Sequence, residues 1–560
     1  MNQNLGPKHS GGGRLLGLLL GCTFVILLAG GGVFYLLSRP TITNLPAESA
    51  SLDETGQLAT GAQLFGNYCA PCHGDKGDGN GPAARFLYPK PRNFSEGKFR
   101  IVSTVNRMPT DSDLMQVISQ GMPGSAMFPF AHLSEDDRRQ LVGHVRQLTR
   151  EGIVAKVRAQ RLQRGEEVDQ AELEEDTEQL IRPKEAVDVL ANAPAPMVES
   201  VAHGRQLYVK QCAQCHGDTG KGDGSQDQRD DNGMPTRPRD FTRGIFKSGR
   251  DFRQLYTRVR LGLPGSPMPS YDSLRPEEIG DIVNFVLSLS DPGAQDKFTQ
   301  KRSHLLAKRA ASPLVKDLSE QQWQAVEPVS IVVSPLWWRN YEPPDLQVQC
   351  LHDGNSLAIR LTWHDDTANL AALRPQDFED MAAVQFFRGK PEPFLGMGAA
   401  NNSVDVWLWN AGRSGKRETF ADVETAHPNM AVDFYPFEKR SKEDRGHPLQ
   451  LQPPEFLTAR AAGNLRSDPG EGLSATGLTA KGFGTLTMRP RVSQSVRAVG
   501  AWADRRWTVV LHRPLQVEPD AGLNLAPHDL VSIAFAIWDG AARDRDGQKL
   551  VSVWHDLELE

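Results

Sequence analysis

The stretch GAQLFGNYCAPCHGD at residues 61–75 decides how the front of this 560-residue chain is built. It contains Cys69, Cys72 and His73 in the pattern Cys-x-x-Cys-His. Two thiols one short turn apart can add to the two vinyl groups of a haem, and the adjoining imidazole can ligate its iron. A thioredoxin-like redox pair or half a zinc site is the alternative, but neither needs that histidine. The motif therefore predicts a covalent c-type haem.

The same stretch occurs again 143 residues later. Residues 204–218 read GRQLYVKQCAQCHGD, so that Cys212, Cys215 and His216 repeat the attachment pattern. The spacing predicts a second covalent haem c. His73 and His216 are the expected proximal iron ligands, since each directly follows the second cysteine of its motif.

Further matches extend both copies. The paired segments are PRNF at 91–94 with PRDF at 238–241, and GSAM at 124–127 with GSPM at 265–268. Repetition over this length indicates homologous domains. We expect two all-α domains at 55–150 and 198–292, joined by a charged helical linker at 151–197.

A methionine near the last helix of each copy is the expected sixth iron ligand. In the first copy both Met122 and Met127 are candidates. The repeat alignment places Met122 opposite Leu263 but Met127 opposite Met268. We therefore predict Met127 and Met268 as axial ligands, with core packing as the alternative role for either. Ligation by His and Met suits an electron relay and leaves no position on the iron for a substrate.

Composition narrows the classes of function. The chain has 39% hydrophobic and 24% charged residues, which is ordinary for a multidomain globular protein. Its formal net charge of −6 offers no bulk excess of cations to neutralise a phosphate backbone, so we expect no nucleic-acid partner. All ten tryptophans lie at or after Trp323, which indicates a different kind of core in the back of the chain.

One segment near the N-terminus is apolar enough to cross a bilayer. Leu15 to Leu37 contains no charge and would extend about 34 Å as a helix. Lys8 and Arg14 precede it, which places the N-terminus in the cytoplasm. We expect residues 1–40 to form a cytoplasmic tip and a single-pass anchor in a bacterial cytoplasmic membrane, with the bulk of the protein in the periplasm. A cleaved signal peptide is the alternative.

The back of the chain is typical of β structure. Short runs rich in tryptophan and β-branched residues, separated by turn residues, are found at 357–363, 404–409, 507–512 and 532–538. They predict an all-β, antiparallel sandwich at 326–560, after a linker at 293–325. Composition alone is also compatible with a carbohydrate-binding module. Cys350 is expected to be an inert core thiol.

The front domains resemble class I cytochromes c. The shared motifs are Gly-x-x-Leu-[Phe/Tyr] before the attachment site, Cys-x-x-Cys-His-Gly, and Gly-x-Pro-Gly-Ser-x-Met before the last helix. The resemblance covers 61–148 and 204–289 and implies two covalent haems c.

The back domain resembles the haem b subunit of ethylbenzene dehydrogenase. The matching strings include MGAANNSVDVWLW at 397–409, AKGFGTLT at 480–487 and AFAIWDG at 534–540. The resemblance implies a non-covalent haem b ligated by a Met and a Lys, here Met397 and Lys481. A lysine ligand must be neutral, which requires burial. Core and surface roles are the ordinary alternatives for these two residues, and Met488 and His512 are alternative ligands.

Together these features predict a membrane-anchored electron-transfer subunit that is not catalytic alone. The resemblance implies iron–sulfur and molybdenum subunits of an oxidoreductase of the dimethylsulfoxide reductase superfamily as partners, and a quinone-pool enzyme or a soluble cytochrome beyond them. A self-contained haem oxidoreductase is one alternative. A dihaem cytochrome with a non-haem binding module is the other.

Overall fold

The helices and strands are described from a computed structural model. It describes residues 60–187, 196–314, 320–339, 345–370, 374–413 and 475–560, apart from 232, 248 and 396. The segment expected to be an anchor, residues 15–37, lies outside the described residues. Within the described ranges, no helix is both long and apolar enough to cross a membrane.

The first helical domain matches the first repeat. Its helices are α1 (Gly61–Tyr68), α2 (Ala70–His73), α3 (Asp111–Gln120) and α4 (Glu135–Gln163). Thr60 begins α1 with a capping box, because its hydroxyl accepts from the Gln63 N–H while the Gln63 side chain accepts from the Thr60 N–H. The buried faces of α1, α3 and α4 form one apolar core.

The second helical domain repeats this arrangement. Its helices are α6 (Val198–Gln211), α7 (Ala213–His216), α8 (Phe252–Leu261) and α9 (Pro276–Ser288). A Cβ on Gly61 would collide with the Gln140 carbonyl, and one on Gly204 would collide with the Asp281 carbonyl. Both repeats therefore need glycine where their first and last helices cross.

The charged linker is helical, as the sequence indicates, but it is not a free spacer. Helix α4 continues to Gln163, and α5 (Gln170–Ile181) packs back against it. Arg150 Nε donates to Glu178 over 2.8 Å, and Arg161 pairs with Asp176. These ion pairs join the basic stretch to the acidic one.

The back domain consists of strands in one continuous hydrogen-bonded sheet. The strands are β1 (His304–Arg309), β2 (Val329–Ile331), β3 (Ser334–Pro335), β4 (Leu346–His352), β5 (Ser356–His364), β6 (Met381–Phe387), β7 (Val404–Asn410), β8 (Ala475–Ala480), β9 (Thr487–Met488), β10 (Arg497–Ala503), β11 (Arg506–Pro514), β12 (Leu530–Trp538), β13 (Leu550–Val551) and β14 (His555–Leu559). Short helices α10 (Ala294–Phe298) and α11 (Glu320–Trp323) precede β1 and β2.

The path of the sheet runs β10-β11-β5-β4-β1-β14-β12-β6-β7-β8-β9. The two halves of this path fold onto each other around a common core. In that core the Trp409 ring on β7 lies 4.9 Å from Trp507 on β11 and 6.2 Å from Trp363 on β5. All three rings are buried, which explains why tryptophan is confined to this part of the chain.

Two sequence-based expectations for this domain were wrong in detail. Strand β1 lies inside the segment expected to be a linker, and it pairs in parallel with both β14 and β4. The sheet is therefore not wholly antiparallel. The residues of β1 alternate between exposed and buried, and Leu305 and Ala307 enter the core beside distant strands. A single short strand whose partners are far along the chain carries little local signal.

Candidate haem sites

The first attachment motif forms a compact turn. The His73 N–H donates to the Cys69 carbonyl over 2.8 Å, which closes helix α2 around both cysteines. The His73 Nδ1 lies 2.9 Å from the Arg92 carbonyl. Because a carbonyl only accepts, Nδ1 carries the proton and Nε2 keeps a lone pair for a metal. The His73 ring stacks on Phe94 at 4.5 Å.

The second motif reproduces this geometry residue by residue. The His216 N–H donates to the Cys212 carbonyl over 2.9 Å, and His216 Nδ1 lies 3.4 Å from the Arg239 carbonyl. The His216 ring stacks on Phe241 at 4.5 Å. The motifs at 91–94 and 238–241 are thus the segments that orient the two proximal histidines.

Burial sets the protonation of these groups. It lowers the pKa of His73 and of His216 to about 4, so both imidazoles are neutral near pH 7, as a metal ligand must be. Burial, with a smaller contribution from Cys72, raises the pKa of Cys69 to about 12. Reactive redox cysteines have lowered pKa values instead. The geometry therefore does not favour a thioredoxin-like pair.

The two methionine loops are also equivalent. The Met122 N–H donates to the Met127 carbonyl over 2.8 Å, and the Leu263 N–H donates to the Met268 carbonyl over 3.1 Å. The structure thus places Met127 and Met268 at matching positions, and both line the same cavity as the histidines. Met122 lines this cavity as well, so the assignment of the axial ligand in the first domain stays a prediction.

A single cavity of about 460 Å³ connects the two attachment motifs. Its apolar lining comes from both helical domains, and Trp338, Arg339 and Phe394 of the β domain complete the wall. A shared cavity of this size lies within the range of cofactor sites.

Many side chains that line this cavity are cationic, and their charge bears on whether a haem fits there. They are Lys90, Arg92, Arg100, Lys221, Arg237, Arg239, Arg243, Lys247, Arg258 and Arg339. The Arg100 Nε is buried without a hydrogen-bond partner. Burial and the neighbouring Arg239 lower the pKa of Lys247 well below its ordinary value. An apolar cavity ringed by such cations fits a planar apolar cofactor with carboxylate groups, which is what the haem propionates are.

The β domain brings Met397 and Lys481 close together. The Gly482 N–H donates to the Met397 carbonyl over 2.7 Å, although 84 positions separate Met397 from Lys481. Met397 is half-buried and packs against the buried cluster that contains Phe387 and Trp554. Lys481 is exposed, so the protein's own residues do not provide the burial that a neutral amine needs. The proposed ligands are neighbours, but their roles stay predictions.

The alternative haem b ligands lie elsewhere on the sheet. Met488 is on β9 and packs against the buried cluster that contains Leu478 and Trp538. This cluster lies on the face of the sheet that also carries the cluster beside Met397. His512 is on β11, in the other half of the sheet path, and its Nε2 is buried without a partner. Met488 is therefore the better placed of the two.

Three further features were missed by the sequence analysis. Lys549 lies 4.7 Å from the Trp538 ring, and burial lowers its pKa to about 8. Phe394 and Phe483, which flank Met397 and Lys481 in sequence, have ring centroids 5.6 Å apart. Arg92 and Arg239 contact the histidines through their main chains. Of these, only the arginines had a signal in the sequence, since both repeats carry one at the same position.

These sites define a multihaem cytochrome. Comparison with protein families gives the particular types: the cytochrome c family model matches residues 58–149 and 201–290, and the ethylbenzene dehydrogenase model matches 320–550. The chain therefore contains two cytochrome c domains, which carry covalent haem c, and an ethylbenzene dehydrogenase-type domain, which binds haem b.

Named relatives match about two fifths of the chain. The putative respiratory nitrate reductase heme subunit ORF7 of Haloferax mediterranei is 29% identical over 38% of this chain and 54% of its own length. The chlorate reductase subunit gamma of Ideonella dechloratans is 29% identical over 38% and 64%. The chain thus spans little more than half of these relatives. A chain of the Kuenenia stuttgartiensis reducing HAO-like protein complex is 32% identical over 43% of this chain and 98% of its own, with a TM-score of 0.35.

Proposed function

We propose that this protein is a membrane-anchored, extracytoplasmic electron-transfer subunit. It would relay electrons between a molybdenum oxidoreductase of the dimethylsulfoxide reductase superfamily and the respiratory chain. The haems supply one-electron chemistry, and the chain's own residues fix their positions and their surroundings. The protein would have no catalytic site of its own, because each iron has two candidate protein ligands.

One aromatic contact carries this proposal. Phe394 lines the cavity shared by the two cytochrome c domains, and its ring lies 5.6 Å from that of Phe483. Phe394 is three residues before Met397, and Phe483 is two residues after Lys481. The loops assigned to haem b and the cavity assigned to haem c therefore share a wall. Electron transfer weakens steeply with distance, so a shared wall is what a relay between these sites needs.

The β domain is also fixed against the first cytochrome c domain. The Tyr88 N–H donates to the Leu336 carbonyl over 3.0 Å, and the Trp338 N–H donates to the Tyr88 carbonyl over 2.8 Å. The rings of Tyr88 and Trp337 lie 5.4 Å apart. Paired main-chain hydrogen bonds and a ring contact favour a constant separation between the two domains, which supports a fixed relay over a mobile shuttle.

The proposed partners follow from the kind of proteins that this chain resembles. Two of its relatives are named as subunits of a nitrate reductase and a chlorate reductase. By analogy, the iron–sulfur and molybdenum subunits of such an enzyme would exchange electrons with the haem b domain. A quinone-pool enzyme or a soluble cytochrome would then exchange electrons with the cytochrome c domains.

The proposed location rests on the sequence of residues 15–37. An uncleaved single-pass anchor in the cytoplasmic membrane would place the three haem domains in the periplasm. Membranes washed with high salt should then retain the full-length protein. A mature N-terminus after residue 37 would show that the segment is a cleaved signal peptide.

Purification of the full-length holoprotein with its native partners tests the function. We expect subunits that contain molybdenum and iron–sulfur clusters to co-purify, and a pyridine haemochrome ratio of two haems c to one haem b. Isolation without such subunits, together with turnover of a substrate by the protein alone, would contradict the proposal and support a self-contained oxidoreductase.

A further inference from the structure

Two arginines at equivalent positions of the repeats extend their side chains to the methionine loop of the other repeat. Arg92 follows Pro91 in the first repeat, and Arg239 follows Pro238 in the second. The Arg239 Nη2 donates to the Pro123 carbonyl over 2.9 Å. Pro123 belongs to the loop that carries Met127, so a side chain from the second domain holds the methionine loop of the first.

The guanidinium of Arg92 packs beside the methionine loop of the second repeat. A Cβ built on Gly265, in the loop of Met268, would lie 2.9 Å from the Arg92 Nη1. A Cβ on Gly124, at the matching place in the other loop, would collide with the Arg239 Nη1. Both glycines have a positive φ, 74° for Gly124 and 70° for Gly265. Glycine at these two positions thus leaves room for the guanidinium from the other repeat.

The same two arginines contact the proximal histidines of their own repeats through the main chain. The Arg92 carbonyl accepts from His73 Nδ1 at 2.9 Å, and the Arg239 carbonyl lies 3.4 Å from His216 Nδ1. Each arginine therefore contacts one repeat with its carbonyl and the other with its guanidinium. Burial lowers the pKa of both guanidinium groups to about 10, so both remain charged near pH 7.

Other contacts hold the two repeats in this orientation. Arg258 of α8 donates from Nη1 to the Val102 carbonyl over 3.1 Å, and Lys98 lies 3.7 Å from Asp231. Leu261, also on α8, packs into the apolar core of the first repeat. The arginine contacts are thus part of a packed interface between the domains rather than isolated surface contacts.

We propose that Arg92 and Arg239 are positioning residues that each stabilise the axial methionine of the other domain. Loss of the Arg239 side chain should loosen the Met127 loop, and loss of the Arg92 side chain should loosen the Met268 loop. The carbonyl of each arginine survives substitution, so the proximal histidine of its own domain keeps its hydrogen bond. This inference rests on Met127 and Met268 being the axial ligands of the proposed function.

The experiment measures displacement of each methionine by imidazole in the full-length holoprotein. In a Met268→His background the remaining Met-ligated haem c is that of the first domain, and in a Met127→His background it is that of the second; the haem b iron is followed separately by its own spectrum. Loss of the Arg239 hydrogen bond to the Pro123 carbonyl, at about 1 kcal/mol, corresponds to roughly fivefold stronger imidazole binding in the first domain. In the Met268→His background we expect this increase with Arg239→Gln and no increase with Arg92→Gln. In the Met127→His background we expect stronger imidazole binding with Arg92→Gln, whose guanidinium packs beside the Met268 loop, and no increase with Arg239→Gln.

Two further variants separate contact from charge. Arg239→Lys and Arg92→Lys keep the positive charge but lose the planar guanidinium. If the contact is what matters, each lysine variant still strengthens imidazole binding in the other domain. An effect confined to the arginine's own domain, an equal effect in both, or no effect would each overturn the proposal. If the methionine backgrounds themselves keep both methionine-to-iron absorption bands, the ligand assignment fails instead, and the two failures are therefore distinguishable.

Discussion

The main-chain N–H of Gly482 donates a 2.7 Å hydrogen bond to the carbonyl of Met397. A Cβ on Gly398 would lie 2.8 Å from the carbonyl of Ala480, so the two segments touch on both sides of this bond. Residues 414–474, outside the described part of the chain, separate the two segments in sequence. Any group ligated by Met397 and Lys481 would therefore lie beside one local main-chain junction, next to Phe394 and Phe483.

The covalent haems should be lost independently. The paired substitution Cys69→Ser/Cys72→Ser removes both thioethers from the first motif, and Cys212→Ser/Cys215→Ser removes both from the second. We expect each variant to lower covalent haem staining by about half of the two-haem signal, since the motifs lie in separate domains. The Cys350→Ser variant is the control, because this thiol is buried in the core of the β domain. Unchanged covalent haem in either test variant would contradict the assignment.

The axial methionines should control the reduction potentials of the c haems. Met127→His and Met268→His each replace a thioether with an imidazole, which lowers the potential of one haem by on the order of 100 mV. Redox titration checks this shift, and loss of part of the methionine-to-iron absorption accompanies it. Met122→His is the matched control in the first loop. If Met122→His lowers a potential and Met127→His does not, Met122 is the axial ligand of the first domain. The alignment of Met127 with Met268 would then have indicated the wrong residue.

Lys481 should be needed for haem b but not for haem c. We expect Lys481→Ala to lose or shift the haem b spectrum while both covalent haems remain. Lys481→His should partly restore a six-coordinate spectrum with a changed potential, since the axial ligand is a main determinant of that potential.

Lys549→Ala serves as the control for Lys481, because Lys549 is a lysine of the same domain that lies over Trp538. Loss of haem b in this variant, with wild-type spectra in Lys481→Ala, would make Lys549 the ligand. Wild-type spectra in both would direct the search to Met488.

The ring contact between Phe394 and Phe483 should affect electron transfer between haem b and the c haems. Phe394→Leu removes the ring and the contact while keeping an apolar side chain at the cavity wall. We expect slower internal equilibration after photoreduction, by about tenfold or less, with unchanged haem content. Phe128→Leu, at another ring of the cavity wall, is the control. Equal rates in all three proteins would show that electrons take another route.

Acid should destabilise the β domain through one buried carboxylate. Burial opposes the ionisation of Glu392, but Arg302 and Lys390 outweigh it and lower its pKa from 4.5 to about 2. The ionised form is thus favoured in the folded state, so this stabilisation is complete above about pH 4.5. It is lost as the pH falls towards 2, by about 3 kcal/mol in total.

Urea unfolding of the domain between pH 6 and pH 3 measures this effect. Arg302 contacts Glu392 over 2.8 Å and also pairs with Asp556 on β14. Glu392→Gln should lower the free energy of unfolding at pH 6 and flatten its dependence on pH. An equally steep dependence in this variant would show that other groups are responsible.

Sequence alone was enough to predict the haem attachment sites, because their chemistry is local. Two cysteines and a histidine within five positions form their turn whatever the fold of the rest of the chain. The repeat alignment also placed Met127 and Met268 at matching positions. The confinement of tryptophan to the back of the chain likewise indicated a separate core, which the cluster of Trp363, Trp409 and Trp507 confirms.

Tertiary structure decided everything that depends on contacts between distant segments. The shared cavity, the crossing of Arg92 and Arg239 into opposite repeats, and the contact of Phe394 with Phe483 join residues that no pattern of spacing relates. Strand β1 lies inside the sheet because it pairs with β4 and β14, and both of these partners are distant from it in sequence. Local patterns specify turns and ligand types, whereas burial against distant segments fixes which sites become neighbours.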